Sequence, residues 1–238
     1  EKIKSTLNTG VIHVLLLLYT VICLYPVYFS LISSLKKNED IFATPFELPT
    51  RLYWQNYMTA FELGNIFRYF LNTLLLAGCT VILSALVGAL AAYVLAKFRF
   101  RFQGTVLIYF VSGLMIPINI FGRFHWNDNY PVLILLFTAF SIPMTVFILT
   151  GFTKSIPTEL EEAAVMDGCG AFRTFWHIVF PLTMPAIATA STFNFIQTWN
   201  NLLFPLIFIK NKNLSTISVG LLSFFGERTT DYGAITAA

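Results

Sequence analysis

The sequence predicts an all-α, polytopic membrane helical bundle, and three observations carry that expectation. The 238 residues are 56% hydrophobic and 11% charged, with a mean hydropathy of +0.71, whereas a soluble domain carries about 25% charged residues. Apolar runs recur along the chain, each near or above the ~20 residues that cross a ~30 Å hydrocarbon core as a helix. None of the five complete runs contains Asp, Glu, Lys or Arg. Helices are the expected form because lipid offers no partner to an open backbone. A β-barrel would need alternating segments of about 10 residues, which these runs are not.

The first run covers 10–35. Lys2 and Lys4 precede it, and it is too long for the apolar core of a removable signal, so it reads as a span. The polar, aromatic segment 36–68, with Pro45, Pro49, Tyr53, Trp54 and Tyr57, reads as a small external cap with interfacial aromatic residues. Spans follow at 69–96, 104–121, 130–152 and 182–209, with a short turn at 122–129. Residues 231–238 open a sixth span that is cut short at Ala238. Basic residues divide almost evenly between the two sides. The acid-free turn holding Lys97, Arg99 and Arg101 weighs most in the positive-inside rule, so the amino end is expected in the cytoplasm.

Several functions are disfavoured by composition. A net charge of +3 without a basic run does not suit nucleic-acid binding. Cys23, Cys79 and Cys169, like His13, His125 and His177, are scattered and form neither a disulfide framework nor a metal-ligand spacing. Spans without acids or bases argue against ion relays along the helices. Lys154-Ser155 follows Thr153 rather than the glycine that a phosphate loop requires.

The informative exception is the polar stretch between spans four and five, 155–181. It holds four of the twelve acids, Glu159, Glu161, Glu162 and Asp167. Thr158 and Glu161 have capping-box spacing, and Pro157 lies just ahead, so a helix is expected to start at Thr158. Glu159, Glu161 and Glu162 crowd its first turn, where the helix dipole favours negative charge. Leu160, Ala163 and Ala164 share one face by i, i+3, i+4 spacing, and two alanines there would let another surface approach closely. Gly168 stands where a left-handed C-terminal residue is wanted. A second, aromatic helix is expected from about Ala171, with Phe172, Phe175, Trp176 and Val179 against the membrane domain and its end at Pro181. An ordinary solvated helical loop is the competing reading of the same spacing.

In span five, Asn194, Gln197, Thr198 and Asn201 are spaced i, i+3, i+4, i+7 and read as one helical face, with Trp199 beside it as a stacking surface. Polar groups among lipid need partners, so this face should look inward. It either lines a solute pathway or makes interhelical hydrogen bonds with another subunit. For Asn72, Thr73 and Asn119 packing is the favoured reading.

Residues Glu162-Ala163-Ala164, Gly168, Ile178 and Phe180-Pro181 closely resemble, in order and spacing, the EAA signature of ABC-importer permeases. That family usually has Leu at the place of Phe180, and often Ala at that of Cys169. The stretches Trp199–Leu206, Arg68–Thr73 and Leu114–Pro117 resemble the fifth, second and third helices of carbohydrate permeases of the MalG type. The resemblance covers most of the chain. It implies a six-helix MetI/MalG-like fold, with 1–238 a single transmembrane permease domain and 155–181 its cytoplasmic coupling loop. It implies a non-catalytic subunit without a cofactor of its own, set in a bacterial plasma (inner) membrane.

The implied partners are a second homologous permease in a heterodimer, two ATP-binding cassette ATPase subunits that bind ATP, an extracellular solute-binding protein and membrane lipid. Leu160, Glu162, Ala163, Ala164, Asp167 and Gly168 would couple to the ATPase. Glu162 would pair with a basic residue there. The segment 210–230, with Lys210, Lys212, Glu227 and Arg228, would meet the binding protein; a plain solvated loop is its other reading. Against this stand a secondary transporter not driven by ATP, disfavoured by the uncharged spans, and a membrane enzyme, for which no Ser/His/Asp set or intramembrane carboxylate pair exists.

Overall fold

The computed structural model describes residues 2–63, 65–112, 128–225 and 230–238, with the backbone alone at 2–9, 63 and 111. Its helices, in chain order, are α1 Lys2–Ser33, α2 Asn38–Ala43, α3 Gln55–Met58, α4 Ile66–Lys97, α5 Gln103–Ser112, α6 Tyr130–Lys154, α7 Glu159–Met166, α8 Ala171–Thr174, α9 Phe180–Leu182, α10 Met184–Trp199, α11 Leu203–Phe208, α12 Ile217–Gly220 and α13 Tyr232–Ala237. Among the described residues there is no β-strand; one isolated antiparallel bridge joins Phe225 and Thr230. The chain divides into two compact units, Glu1–Arg68 with Gly220–Ala238, and Tyr69–Val219.

In the first unit α1 is exposed from Gly10 to Tyr28, while Ile32 and Ser33 at its end are buried. Lipid or a neighbouring protein is the natural solvent for such a surface. The expected external cap 36–68 folds into α2, α3 and a wide π-type turn at Thr59–Leu63. Buried Asn56 organises it by donating to the carbonyls of Ser34 and Lys36 at 2.9 and 2.8 Å. Asn38 donates to Thr230 O and accepts from Tyr232 N, at 2.7 and 2.9 Å, which ties the start of α13 to α2. Gly233 sits so close to Asn56 that a Cβ there would meet its amide at 2.6 Å.

The second unit holds α4, α6 and α10. Helix α4 runs for 32 residues without proline and ends on Lys97, a cation at the negative end of the dipole. Helix α6 starts on Asn129, whose side chain accepts from Val132 N at 3.2 Å, with Pro131 in the first turn. Gly88 of α4 lies against Thr145 of α6, where a Cβ would come within 2.5 Å of its methyl. Only a residue without a side chain admits that approach. At one level the core joins Leu76, Leu133, Phe137, Phe204 and Phe208; at another it joins Ala89, Tyr93, Leu149, Phe175, Val179 and Ile187.

Three helices are long and apolar enough to cross a membrane, Gly10–Ser33, Ile66–Lys97 and Tyr130–Lys154, among the described residues. These match spans one, two and four of the sequence reading. Of span three, 104–121, the described part is α5; Leu114–Pro117, Asn119 and most of the 122–129 turn lie outside the described residues.

Span five differs from the expected single helix 182–209. Helix α10 ends at Trp199, and α11 begins again at Leu203. The side chain of Asn201 accepts from Phe204 N at 3.0 Å, in the first turn of the new helix, so Asn201 lies past the end of α10. The aromatic helix also runs past Pro181, through a π-type turn at Phe175–Val179, to Leu182. Pro181 is tolerated because it lies in the first turn of α9. The segments Ala171–Leu182 and Met184–Trp199 then meet at a bend of 72°.

Candidate coupling helix and transport cavity

Helix α7 begins after Thr158 as the sequence predicts, but not by a capping box. Thr158 is itself helical in its backbone, and its side chain makes no capping bond. Glu161 is taken by a different partner: its carboxylate lies 2.7 Å from the ammonium of Lys97, the last residue of α4. Lys97 also donates to Ile156 O at 2.7 Å. Side-chain exposure is only 7% for Lys97 and 17% for Glu161, so the pair is shielded from water, and removing one member would leave the other charge without compensation. The Tyr93 phenol adjoins the same carboxylate.

The other acids of α7, Glu159 and Glu162, face solvent. So do Leu160, Ala163 and Asp167, while Ala164 is 5% exposed and packs inward. The two alanines therefore part company: Ala163 belongs to the outer face with Glu162, and Ala164 lets α7 sit close to its own protein. Met166 is 87% exposed and Phe172 72%. Neither was singled out for the outer surface from sequence, and Phe172 was expected to pack inward. Met166 is left uncovered one turn from Glu162 on α7, and Phe172 is left uncovered on α8 beyond the turn; exposed apolar residues of this kind mark interaction surfaces.

Gly168 ends α7 with φ +79. Cys169 N donates to Ala164 O and Gly168 N to Val165 O, both at 2.9 Å, the bond pair of a Schellman turn. Open space surrounds a Cβ built there, so glycine is required by backbone conformation and not by crowding. Beyond the turn, Phe175 and Val179 are buried against Ala89, Tyr93 and Leu149, as the aromatic spacing predicts.

Four of the five span-five candidates meet at one cavity of about 360 Å³. Asn194, Gln197, Thr198 and Asn201 line it together with Phe137, Phe140, Ser141, Met144, Phe193 and Phe204. Their roles differ. Asn194 is buried and donates to Ser84 Oγ at 3.2 Å and Thr145 Oγ1 at 2.8 Å. It ties α10 to α4 and α6 within this chain. Gln197 is exposed, and its amide makes no hydrogen bond among the described residues. The hydroxyl of Thr198 is buried and unpaired among them. Trp199 turns elsewhere, stacking on Phe195 at 5.3 Å and meeting Phe70 edge-on at 5.4 Å. A larger cavity of about 560 Å³, between α5, α6 and α10, has an apolar wall around Thr150, Lys154 and Thr189. A polyhydroxylated solute is better matched by the smaller one, with its amides, hydroxyl and aromatic rings.

Asn72 and Thr73 prove to be fasteners for the segment after α11. Asn72 donates to the carbonyls of Asn213 and Ser215 at 3.0 and 2.9 Å, and Thr73 accepts from Ile217 N at 2.9 Å. Asp128, with φ 57, accepts from Lys210 N and Asn211 N, both at 2.7 Å. The beginning of the 210–230 segment is thus anchored, with Lys210 and Lys212 exposed on it; Glu227 and Arg228 lie outside the described residues.

Long apolar helices that carry charge only near their ends, with the short acidic helix α7 between α6 and α8, are the features of a membrane protein with a polar docking segment. Residues 63–238 match the family of the "Binding-protein-dependent transport system inner membrane component", and the chain belongs to it. It is similar to the diacetylchitobiose uptake system permease NgcG of Streptomyces coelicolor, at 37% identity over 95% of this chain and 78% of the relative. A probable ABC transporter permease of Bacillus subtilis, YurM, is 33% identical over 95% and 78%. The melibiose/raffinose/stachyose import permease MelC of the same organism is 31% identical over 90% and 80%. In fold it matches a bacterial ABC transporter that imports the acidic polysaccharide alginate, with a TM-score of 0.83 at 20% identity, covering 98% of this chain and 90% of that one. The chain is a multi-pass ABC-importer permease.

Proposed function

We propose that this permease carries a carbohydrate and couples its passage to ATP hydrolysis on partner subunits through α7. The carrying observation is the sorting of acids on that helix. Glu161 is drawn inward to Lys97, and Glu162 is left outward beside Ala163 and Met166. A charge flanked by a small residue and an exposed thioether is suited to a cleft that holds a basic residue and apolar walls. Leu160 and Asp167 border this face. Gly168 makes the turn that joins it to the membrane core.

In this reading the chain is a single permease domain, paired with a second homologous permease, two ATP-binding cassette subunits and an extracellular solute-binding protein. It is not an enzyme and holds no cofactor; ATP sits on the partners. The amino end and α7 then face the cytoplasm of a bacterial cell. A carbohydrate cargo is supported by relatives whose names specify diacetylchitobiose, melibiose, raffinose and stachyose. Gln197 and Thr198 supply the free amide and hydroxyl of the pathway. Asn194 and Asn201 shape it while serving the backbone and neighbouring helices.

The test is to purify the complex from its native membrane with its binding protein and measure ATP hydrolysis against a panel holding diacetylchitobiose, raffinose, maltose and glucose. Stimulation by at least one sugar is expected. Full ATPase stimulation by a non-carbohydrate, with none by sugars, would refute the cargo. Purification of the chain without ATPase subunits, together with uptake insensitive to ATP depletion, would refute the coupling.

A further inference from the structure

Lys97 joins the end of α4 to the start of α7, two places distant in sequence. It closes α4 after 32 residues. Its ammonium holds the carbonyl of Ile156, in the turn before α7, and the carboxylate of Glu161, in the first turn of α7, each at 2.7 Å. Ile156 is itself 6% exposed and packs with Tyr93, four residues before Lys97. The coupling helix is therefore gripped at its start by a second membrane helix. That grip is separate from its covalent links to α6 before it and α8 after it.

The placement is electrostatically favourable at both ends. The cation stands at the carboxyl end of α4 and the acid at the amino end of α7, each where the helix dipole favours it. Both are shielded from water, at 7% and 17% exposure, and a buried pair that loses one member leaves a charge without compensation. Such a contact is well suited to carrying displacement, because it resists opening.

We propose that Lys97 is a positioning residue for transport, a latch that makes α4 follow the coupling helix through Glu161 and Ile156. The proposal rests on the reading of α7 as the coupling element. When the ATPase subunits draw α7 along, the latch would pull the end of α4. Through Ser84, bonded to Asn194, and Gly88, packed on Thr145, that movement would reach the wall of the transport cavity. The covalent path through α8 to α10 would act in parallel.

The test uses the whole complex in lipid nanodiscs, with Cys23, Cys79 and Cys169 replaced by serine and a reporter cysteine at Met144→Cys in the cavity wall. Labelling of the reporter by a bulky water-soluble maleimide is followed before and after trapping with MgATP and vanadate. With the latch intact, trapping should change the labelling rate by about tenfold or more. In Lys97→Gln the ATPase subunits should still co-purify and basal hydrolysis should persist, but the change in labelling should fall below about twofold. Lys97→Arg, which keeps a cationic donor to both Ile156 O and Glu161, should restore it.

An undiminished labelling change in Lys97→Gln would overturn the latch. So would loss of the ATPase subunits in Lys97→Gln, or failure of Lys97→Arg to restore the change in assembled complexes, because the pair would then serve assembly alone. Glu162→Lys separates the two levels. If it leaves ATPase association and switching intact, the coupling reading fails. If it abolishes them while Lys97→Gln switches normally, the latch alone fails.

Discussion

Helices α7 and α10 follow one another closely in the chain, yet they use polar residues in opposite ways. On α7 the polar groups are divided by residue: Glu161 serves the protein's own packing through Lys97, and Glu162 is exposed, with no ion pair among the described residues. On α10 the polar groups line one cavity, and structure and opening are served from the same wall. Asn194 holds three helices together, while Gln197, three residues on, makes no hydrogen bond among the described residues. Outside the membrane, water can satisfy a free carboxylate, so the chain can leave one exposed at little cost. Inside it, an unpaired amide must face a cavity or find a partner.

The sharpest way to break this comparison is Glu162→Lys. If the outer acid meets a basic partner in a desolvated cleft, reversal should cost at least about 2 kcal/mol, or about 30-fold in affinity for the ATPase subunits. The membrane fold should remain intact, which co-purification and size-exclusion of the permease would show. Gly88→Val comes next. It forces a side chain into Thr145, and overpacking of this kind costs about 1–3 kcal/mol, read as a lowered melting temperature of the complex in detergent. The smallest effect should separate Asn194 from Gln197. Asn194→Leu removes an interhelical tie worth about 0.6 to 1.7 kcal/mol. The loss is modest because Ser84 and Thr145 keep their own backbone acceptors, Val81 O and Ser141 O. Gln197→Ala should leave melting unchanged and lower sugar uptake. Equal destabilisation by both would erase the distinction between tie and lining.

The sequence made the helical class and most span boundaries legible, because uncharged apolar runs of this length have few alternatives in a membrane. The start of α7 and its glycine stop were legible too, since Thr158, the crowded acids and Gly168 are local signals. The partner of Glu161 was not. Capping-box spacing assigned it to the local backbone, whereas Lys97, 64 residues earlier, is brought beside it by the packing of Tyr93, Ile156 and Phe175. The split between Ala163 and Ala164 was hidden for the same reason: i, i+3, i+4 spacing groups residues on a stripe without saying where the burial edge falls. The break at Asn200 was missed because Asn201 reads equally as the next polar residue of one face or as the cap of a new helix. Only the fold decides between them.

The bend at Thr183 has a mechanical consequence. Thr183 is 3% exposed, its amide donates to Val179 O at 2.9 Å and its carbonyl accepts from Ile187 N at 2.9 Å. Its hydroxyl adds a bond to Phe180 O at 2.9 Å. The elbow between two arms set at 72° is thus braced on both sides, like the corner of a bell crank. A rigid crank converts a push on one arm into a swing of the other. The 16 residues of α10 make an arm of about 24 Å. A rotation of roughly 5° would therefore carry its far end, at Trp199, through about 2 Å.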